Sequence, residues 1–280
     1  MPMLNVGGDH PTEIYFTDSA GMGRPVVLVH GWPASEASWK QIGAVLQRAG
    51  HRVIAYDRRG FGRSGKPGSG FDYDTFAADL DALLCELDLV DVALVGFSMG
   101  GGEVARYVAN HGTGRITAAG FIAAITPCLD ATLPDNPDGA FTPDAAAEMQ
   151  SGLLADPPGF LKGFLTNFYS VPTDDGGAKL MVPASEIDHS IMIAGQGNVN
   201  ALAACIPLWL TDFRQDLAKL KVPALVIHGQ GDQVVPFAAS GARMPQFLDA
   251  VTMKPIPDGP HGLLASHPDE VAQALLAFLA

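Results

Sequence analysis

A serine, an acid and a histidine follow one another along this chain, each just past an apolar run, and that order suits covalent acyl transfer. Ser98 lies in Gly96-Phe97-Ser98-Met99-Gly100, directly after Val92-Ala93-Leu94-Val95 and ahead of a helix-like stretch over 101–110. This is a G-x-S-x-G pattern, and no second match occurs in the chain. A serine on a sharp strand-to-helix turn needs small neighbours, because its backbone is strained and a Cβ two residues away would crowd it. The turn lifts the hydroxyl clear of the sheet and aims the next amide, that of Met99, at the same space. A serine hydroxyl is a weak nucleophile until an oriented base takes its proton, so an acid and then a histidine should each follow a later strand. Asp232 ends the run Val222-Pro223-Ala224-Leu225-Val226-Ile227-His228-Gly229-Gln230-Gly231-Asp232, and His261 follows Val251-Thr252-Met253-Lys254-Pro255-Ile256-Pro257-Asp258-Gly259-Pro260. Small residues before Asp232 and Gly-Pro before His261 suit turns that expose a side chain at a strand end.

Other candidates fit less well. His267 belongs to the start of the last helix, His189 to an irregular middle segment, and His51 and His111 to helix-to-strand connections. His228 ends an apolar strand and reads as a satisfied core histidine. Asp258 is too near His261 in sequence to reach the far ring nitrogen, and Asp212 and Asp216 precede the penultimate strand instead of following it. An oxyanion needs two donors: the Met99 amide is one, and the loop His30-Gly31-Trp32-Pro33 offers the Trp32 amide as the second. His30 itself reads as a brace for that loop, since the base is already assigned to His261. The run Asp57-Arg58-Arg59-Gly60-Phe61-Gly62-Arg63-Ser64 lacks the G-K-[ST] ending of a phosphate loop and reads as a tight connection with structural arginines. No cluster has metal-ligand spacing, and no cofactor is expected.

The elements that must position these residues alternate. Strands are expected at 13–17, 26–30, 53–57, 93–96, 118–125, 224–228 and 251–256, with crossover helices at 35–47, 73–87 and 101–111. Several strands are apolar throughout, which marks a sheet covered on both faces and hence mainly parallel. Ser266-His267-Pro268-Asp269 reads as the N-cap of a last helix facing the core with Val271, Leu275 and Phe278. The expected fold is α/β, a mainly parallel central sheet flanked by helices. Its core would be residues 1–130 and 217–280, with residues 131–216 a helical cap insertion over the strand ends. A chain of 280 residues is long enough for one such core. Net charge −13 argues against nucleic acid and anionic membranes as partners. Residues 1–10 show no secretory signal, and the apolar run over 116–129 is too short and broken to span a bilayer. Cys85, Cys128 and Cys205 lie far apart without a C-x-x-C pair, which suits a reducing compartment, so the cytoplasm is the expected location.

Together, His30-Gly31-Trp32, Asp57-Arg58-Arg59-Gly60-Phe61-Gly62, the serine turn, Gly231-Asp232 and Pro260-His261-Gly262 resemble the α/β-hydrolase superfamily over nearly the whole chain. The run Gly96-Phe97-Ser98-Met99-Gly100-Gly101-Gly102-Glu103-Val104-Ala105-Arg106-Tyr107, with Asn136-Pro137-Asp138-Gly139 and Leu210-Thr211-Asp212-Phe213-Arg214, is most similar to the cofactor-free bacterial non-haem chloroperoxidases and related aryl esterases. The resemblance implies Ser98, Asp232 and His261 as a catalytic triad and Trp32 and Met99 as oxyanion-hole residues. It also implies a serine esterase for small carboxylic esters or lactones, with peroxide intercepting the acyl-enzyme as a side reaction. Ser98 speaks against the haloalkane dehalogenases and epoxide hydrolases of this fold, which need aspartate there. Residues 172–183 look unlike the usual cap and read as a longer loop. Two other readings stay open: a C–C bond hydrolase on the same triad, and a non-catalytic ligand receptor. The expected partner is a small ester, lactone or carboxylate; the subunit count is left open between a single chain and a homo-oligomer.

Overall fold

The computed structural model describes residues 2–280; Met1, with which the expected core and the N-terminal decamer begin, lies outside them. The elements run β1 (Met3–Val6), β2 (Thr12–Asp18), β3 (Pro25–Val29), α1 (Lys40–Arg48), β4 (Arg52–Tyr56), α2 (Tyr73–Glu86), β5 (Val92–Phe97), α3 (Met99–His111) and β6 (Ile116–Ile122). Then come α4 (Pro143–Ala155), α5 (Pro157–Phe168), β7 (Ser170–Pro172), β8 (Ala178–Leu180), α6 (Ala184–Ala194), α7 (Val199–Cys205) and α8 (Arg214–Leu217). The chain closes with β9 (Ala224–Gly229), β10 (Val251–Ile256), α9 (Leu263–Ser266) and α10 (Pro268–Leu279).

Eight strands form one sheet in the order β1-β2-β4-β3-β5-β6-β9-β10. Pairing is antiparallel from β1 through β2 to β4 and parallel from β4 to β10. Strand periodicity divides the core: Val27 and Val29 of β3 join Leu94 of β5 on one face, while Val26 and Leu28 join Ala93 and Val95 on the other. Both faces are covered, the first by α2 and α3 and the second by α1 and α10, which is why these strands are apolar at every position. The chain leaves β3 for β4 on one side and returns through α2 to β5 on the other. The carboxyl ends of β3 and β5 therefore flank the point where strand order reverses, and ligands of open α/β sheets bind at that crevice.

Several boundaries differ from expectation. β1 is an additional edge strand, too short and half-exposed to carry an apolar signature. The apolar run at 118–125 outlasts its strand: β6 ends at Ile122, and Ala123 turns out of the sheet at φ 43° while remaining buried. Ser266 ends the short turn α9 and does not cap α10, whose N-terminal flank is His267 with Pro268 behind it. Within 172–183, Pro172 and Ala178–Leu180 belong to the β7–β8 hairpin, so the stretch is a hairpin and not an open loop. Its outer strand is wholly exposed, which explains why apolar patterning missed it. Among the described residues no single helix is long and apolar enough to cross a membrane.

Candidate active site

Ser98 stands between β5 and α3 with φ 54° and ψ −120°, a region non-glycine residues avoid. The strain is held by its surroundings: the Ser98 amide donates to Ile122 O at 2.8 Å and its carbonyl accepts from Gly101 N at 2.9 Å. A Cβ on Gly96 would run into the Gly100 carbonyl, and one on Gly100 into the Val29 carbonyl, so both flanking glycines are required by close approach. Ser98 Oγ lies 2.9 Å from His261 Nε2, and His261 Nδ1 lies 2.7 Å from Asp232 Oδ2. With Nδ1 donating to the carboxylate, Nε2 is left to accept the serine proton.

Asp232 is placed by the loop after β9. Its Oδ1 accepts the amides of Val234 at 2.9 Å and Val235 at 2.8 Å, which turns Oδ2 toward His261. Burial alone would push this carboxyl up, but His261 and His228 beside it outweigh burial and bring it down to about 2. His261 follows β10, and its ring lies between Phe97 (centroids 5.4 Å apart) and Phe168 (4.7 Å, edge to face). Phe168, the last residue of α5, also accepts the Gly262 amide through its carbonyl at 2.9 Å. The segment between β6 and β9 thus clamps the histidine loop directly.

On the other side of Ser98, the loop after β3 approaches so closely that a Cβ on Gly31 would lie 2.9 Å from Ser98 Cβ. Trp32 follows, fully buried, its indole donating to Leu202 O at 3.0 Å and its ring edge-on to Phe164 and Trp209. The Met99 amide opens α3, where the first helical N–H groups have no carbonyl one turn back. His30 is locked: Arg58 N donates to its Nε2 at 2.9 Å, and its Nδ1 donates to Gly31 O at 2.7 Å. Burial, reinforced by the Arg58 charge, holds His30 well below the usual histidine range and hence neutral. Arg58 in turn donates to His30 O at 2.9 Å and to Glu103 Oε2 at 2.7 Å, and Tyr56 donates to Glu103 Oε1. Arg59 forms a two-pronged pair with Asp79, both contacts 2.6 Å, so the arginine run is structural, as its sequence suggested.

The structure brings Ser98, Asp232 and His261 together, with Met99 next in the chain and the loop that carries Trp32 packed against the serine through Gly31. Of the competing histidines, His267 Nε2 lies 3.4 Å from Asp258 and His111 Nδ1 3.5 Å from Asp81, away from Ser98, whereas His228 Nε2 comes within 3.2 Å of Asp232 Oδ2. A cavity of about 440 Å³ is lined by none of Ser98, Asp232 and His261 themselves but by residues next to them in the chain. Pro33, Phe97 and Gly262, the chain neighbours of Trp32, Ser98 and His261, line it together with Phe168, His189 and Ile193. Sequence reasoning missed the Phe97 and Phe168 contacts with His261, the Tyr56–Glu103–Arg58 brace and the approach of His228 to Asp232. Glu103 carried one usable signal, the lone acid of α3, placed among its small and apolar residues Gly102, Val104 and Ala105. Among the described residues no group of three His, Cys, Asp or Glu side chains is arranged to hold a metal ion.

A profile of the α/β-hydrolase fold family matches residues 24–268. A non-heme chloroperoxidase of Kitasatospora aureofaciens is 41% identical over 254 residues, covering 90% of this chain and 89% of its own. A bifunctional esterase/perhydrolase of Acinetobacter calcoaceticus is 31% identical over 95% of this chain and 96% of its own. The crystal structure of a bromoperoxidase from Bacillus anthracis superposes with a TM-score of 0.91 at 42% identity, covering 99% of both chains. With a switch-point serine, a buried histidine–aspartate pair behind it and these relatives, the chain belongs to the α/β-hydrolase family.

Proposed function

We propose that the protein is a serine esterase of small carboxylic esters or lactones, with perhydrolysis as a second outcome of the same acyl-enzyme. The observation that carries this reading is the line of contacts from Ser98 Oγ through His261 to Asp232, at 2.9 and 2.7 Å, on a strained turn. As Ser98 Oγ attacks the ester carbonyl, its proton passes to His261 Nε2, and the ionised Asp232 stabilises the imidazolium. The amides of Met99 and Trp32 receive the oxyanion, and His261 then returns the proton to the leaving alcohol. Water activated by the same histidine releases the acid. Hydrogen peroxide in place of that water releases a peracid and regenerates Ser98; the peracid can then transfer an oxygen to halide, leaving the carboxylic acid. The name of the Acinetobacter relative joins these two activities, which supports the pairing.

In this reading residues 131–216 are the cap, and the apolar cavity beside Phe97 and Phe168 takes up part of the substrate and limits water at the acyl-enzyme. The free cysteines Cys85, Cys128 and Cys205 suit a reducing compartment, and we place the enzyme in the cytoplasm. Labelling with a fluorophosphonate, followed by peptide mapping, tests the assignment: modification confined to Ser98 and abolished in Ser98→Ala is expected. Absence of labelling, with binding of small esters retained, would favour a receptor. Dye halogenation should require peroxide plus a carboxylate such as acetate and should disappear in Ser98→Ala; persistence there would remove the perhydrolase part.

A further inference from the structure

His228 is the penultimate residue of β9, and its side chain is almost wholly buried four residues before Asp232. Its Nε2 lies 2.8 Å from Val235 O and 3.2 Å from Asp232 Oδ2, the same oxygen that meets His261 Nδ1. Both oxygens can only accept, so Nε2 must carry the ring proton; a lone pair there would face two others. The opposite nitrogen, Nδ1, has no partner, and a side chain on Gly241 would collide with it. In this tautomer Nδ1 is a bare lone pair, whereas the other tautomer would strand an N–H donor in the interior. The ring is steadied by Phe237, with centroids 5.6 Å apart. Reading His228 as a satisfied core histidine therefore holds for one nitrogen only.

We infer that His228 is a positioning residue of the reaction: its Nε2–H presents a second imidazole proton to Asp232 Oδ2 and sets how strongly that oxygen holds His261. The inference rests on the proposed triad. The His261 N–H and the His228 N–H, the latter shared with Val235 O, both lie against one carboxylate oxygen and spread its charge, and the amides of Val234 and Val235 hold Oδ1, so the carboxylate cannot rotate. Removing the His228 proton concentrates charge on Oδ2, which favours His261 imidazolium and leaves less free base at neutral pH. His228 and His261 are the titratable side chains that bear on the Asp232 carboxyl; Asp258, three residues before His261, faces His267 instead.

The test measures kcat/KM against pH on p-nitrophenyl acetate, normalised to sites counted with a fluorophosphonate, in His228→Leu, His228→Gln and His228→Asn. Glutamine carries its amide N–H to the reach of Nε2, whereas asparagine carries it only to the reach of Nδ1. Leucine and asparagine should lower kcat/KM about threefold on the acid limb, the loss of free base that a shift of half a pH unit brings. The limb itself should move upward by about half a pH unit, and glutamine should restore the wild-type profile. A lower Tm with an unmoved acid limb in Leu and Asn, or a Gln variant that behaves like Asn, would overturn the role of His228 alone. Retained turnover in Ser98→Ala, run in parallel, would instead overturn the triad on which it rests.

Discussion

Two buried histidines stand at the carboxyl ends of parallel strands on either side of Ser98, and only one of them lies between a hydroxyl and a carboxylate. His261 follows β10 and His30 follows β3, and each is at most 1% exposed. Burial and position in the fold do not separate them; the groups facing their nitrogens do. His261 meets a carboxylate at one nitrogen and a hydroxyl at the other, so a proton arriving at Nε2 finds a counter-charge behind it. His30 accepts a backbone amide, donates to a backbone carbonyl and faces a guanidinium, so a second proton would break a hydrogen bond and meet like charge. A strand-end histidine becomes a base through an acceptor pair and a nearby anion, and becomes a brace through a backbone pair and a nearby cation.

The largest expected effect breaks the His261 side. Ser98→Ala and His261→Gln should each fold normally and lose kcat/KM by on the order of 10³ or more, and His261→Gln should also lose the acid limb of the pH profile. Ester turnover near wild type in either would end the assignment.

Next is the anchor of the His30 side. Glu103→Ala leaves the Arg58 guanidinium, 1% exposed, without its partner, which should cost about 3–5 kcal/mol. Calorimetry should then show Tm lower by roughly 5–8 °C. Turnover per folded molecule should also fall, because Arg58 no longer holds the His30 carbonyl and the Trp32 loop behind it. A normal Tm would show that the buried pair does not tie the loop down.

A smaller effect separates the two histidines by pH. His30 titrates well below 6.5 when folded, so below pH 6.5 the unfolded chain binds the proton that the folded chain refuses. Its contribution is full above that value and declines as pH falls, by about 1.4 kcal/mol per pH unit. Urea titrations between pH 7 and 5 should show this slope in the wild type and its loss in His30→Gln, with the acid limb of kcat/KM unmoved. Asp232 acts in a separate window: held at about 2 against 3.8 for a free side chain, it stabilises the fold above about pH 4, and that contribution is lost as pH falls toward 2. The smallest effect tests the aromatic wall. Phe168→Leu preserves most of the packing but removes the edge-to-face contact with His261, worth about 0.5–1.5 kcal/mol, so kcat/KM should fall by a few-fold. A loss as large as in His261→Gln would mean that Phe168 sets the histidine's position outright.

The sequence by itself determined the alternation of strands and helices, because strands covered on both faces are apolar at every residue and crossover helices carry their own periodicity. It also determined Ser98, Asp232 and His261 as a candidate set, because a strained turn, a Gly-Asp and a Pro-His-Gly are local patterns in a readable order. Where apolar residues serve a buried loop, as at 123–125, or where a strand lies at an exposed edge, as in β1 and β8, that patterning misled or fell silent. Only the tertiary structure decided what each histidine faces. His261 meets Ser98 across 163 residues of chain, and Arg58 meets Glu103 across 45, and no local pattern records such pairs. The strand order β4-β3-β5 brings the His30 loop against Ser98, and packing of α5 onto the histidine loop brings Phe168 to His261. Proton affinity depends on these through-space neighbours, so a base and a brace written with the same residue become distinguishable only once the chain has folded.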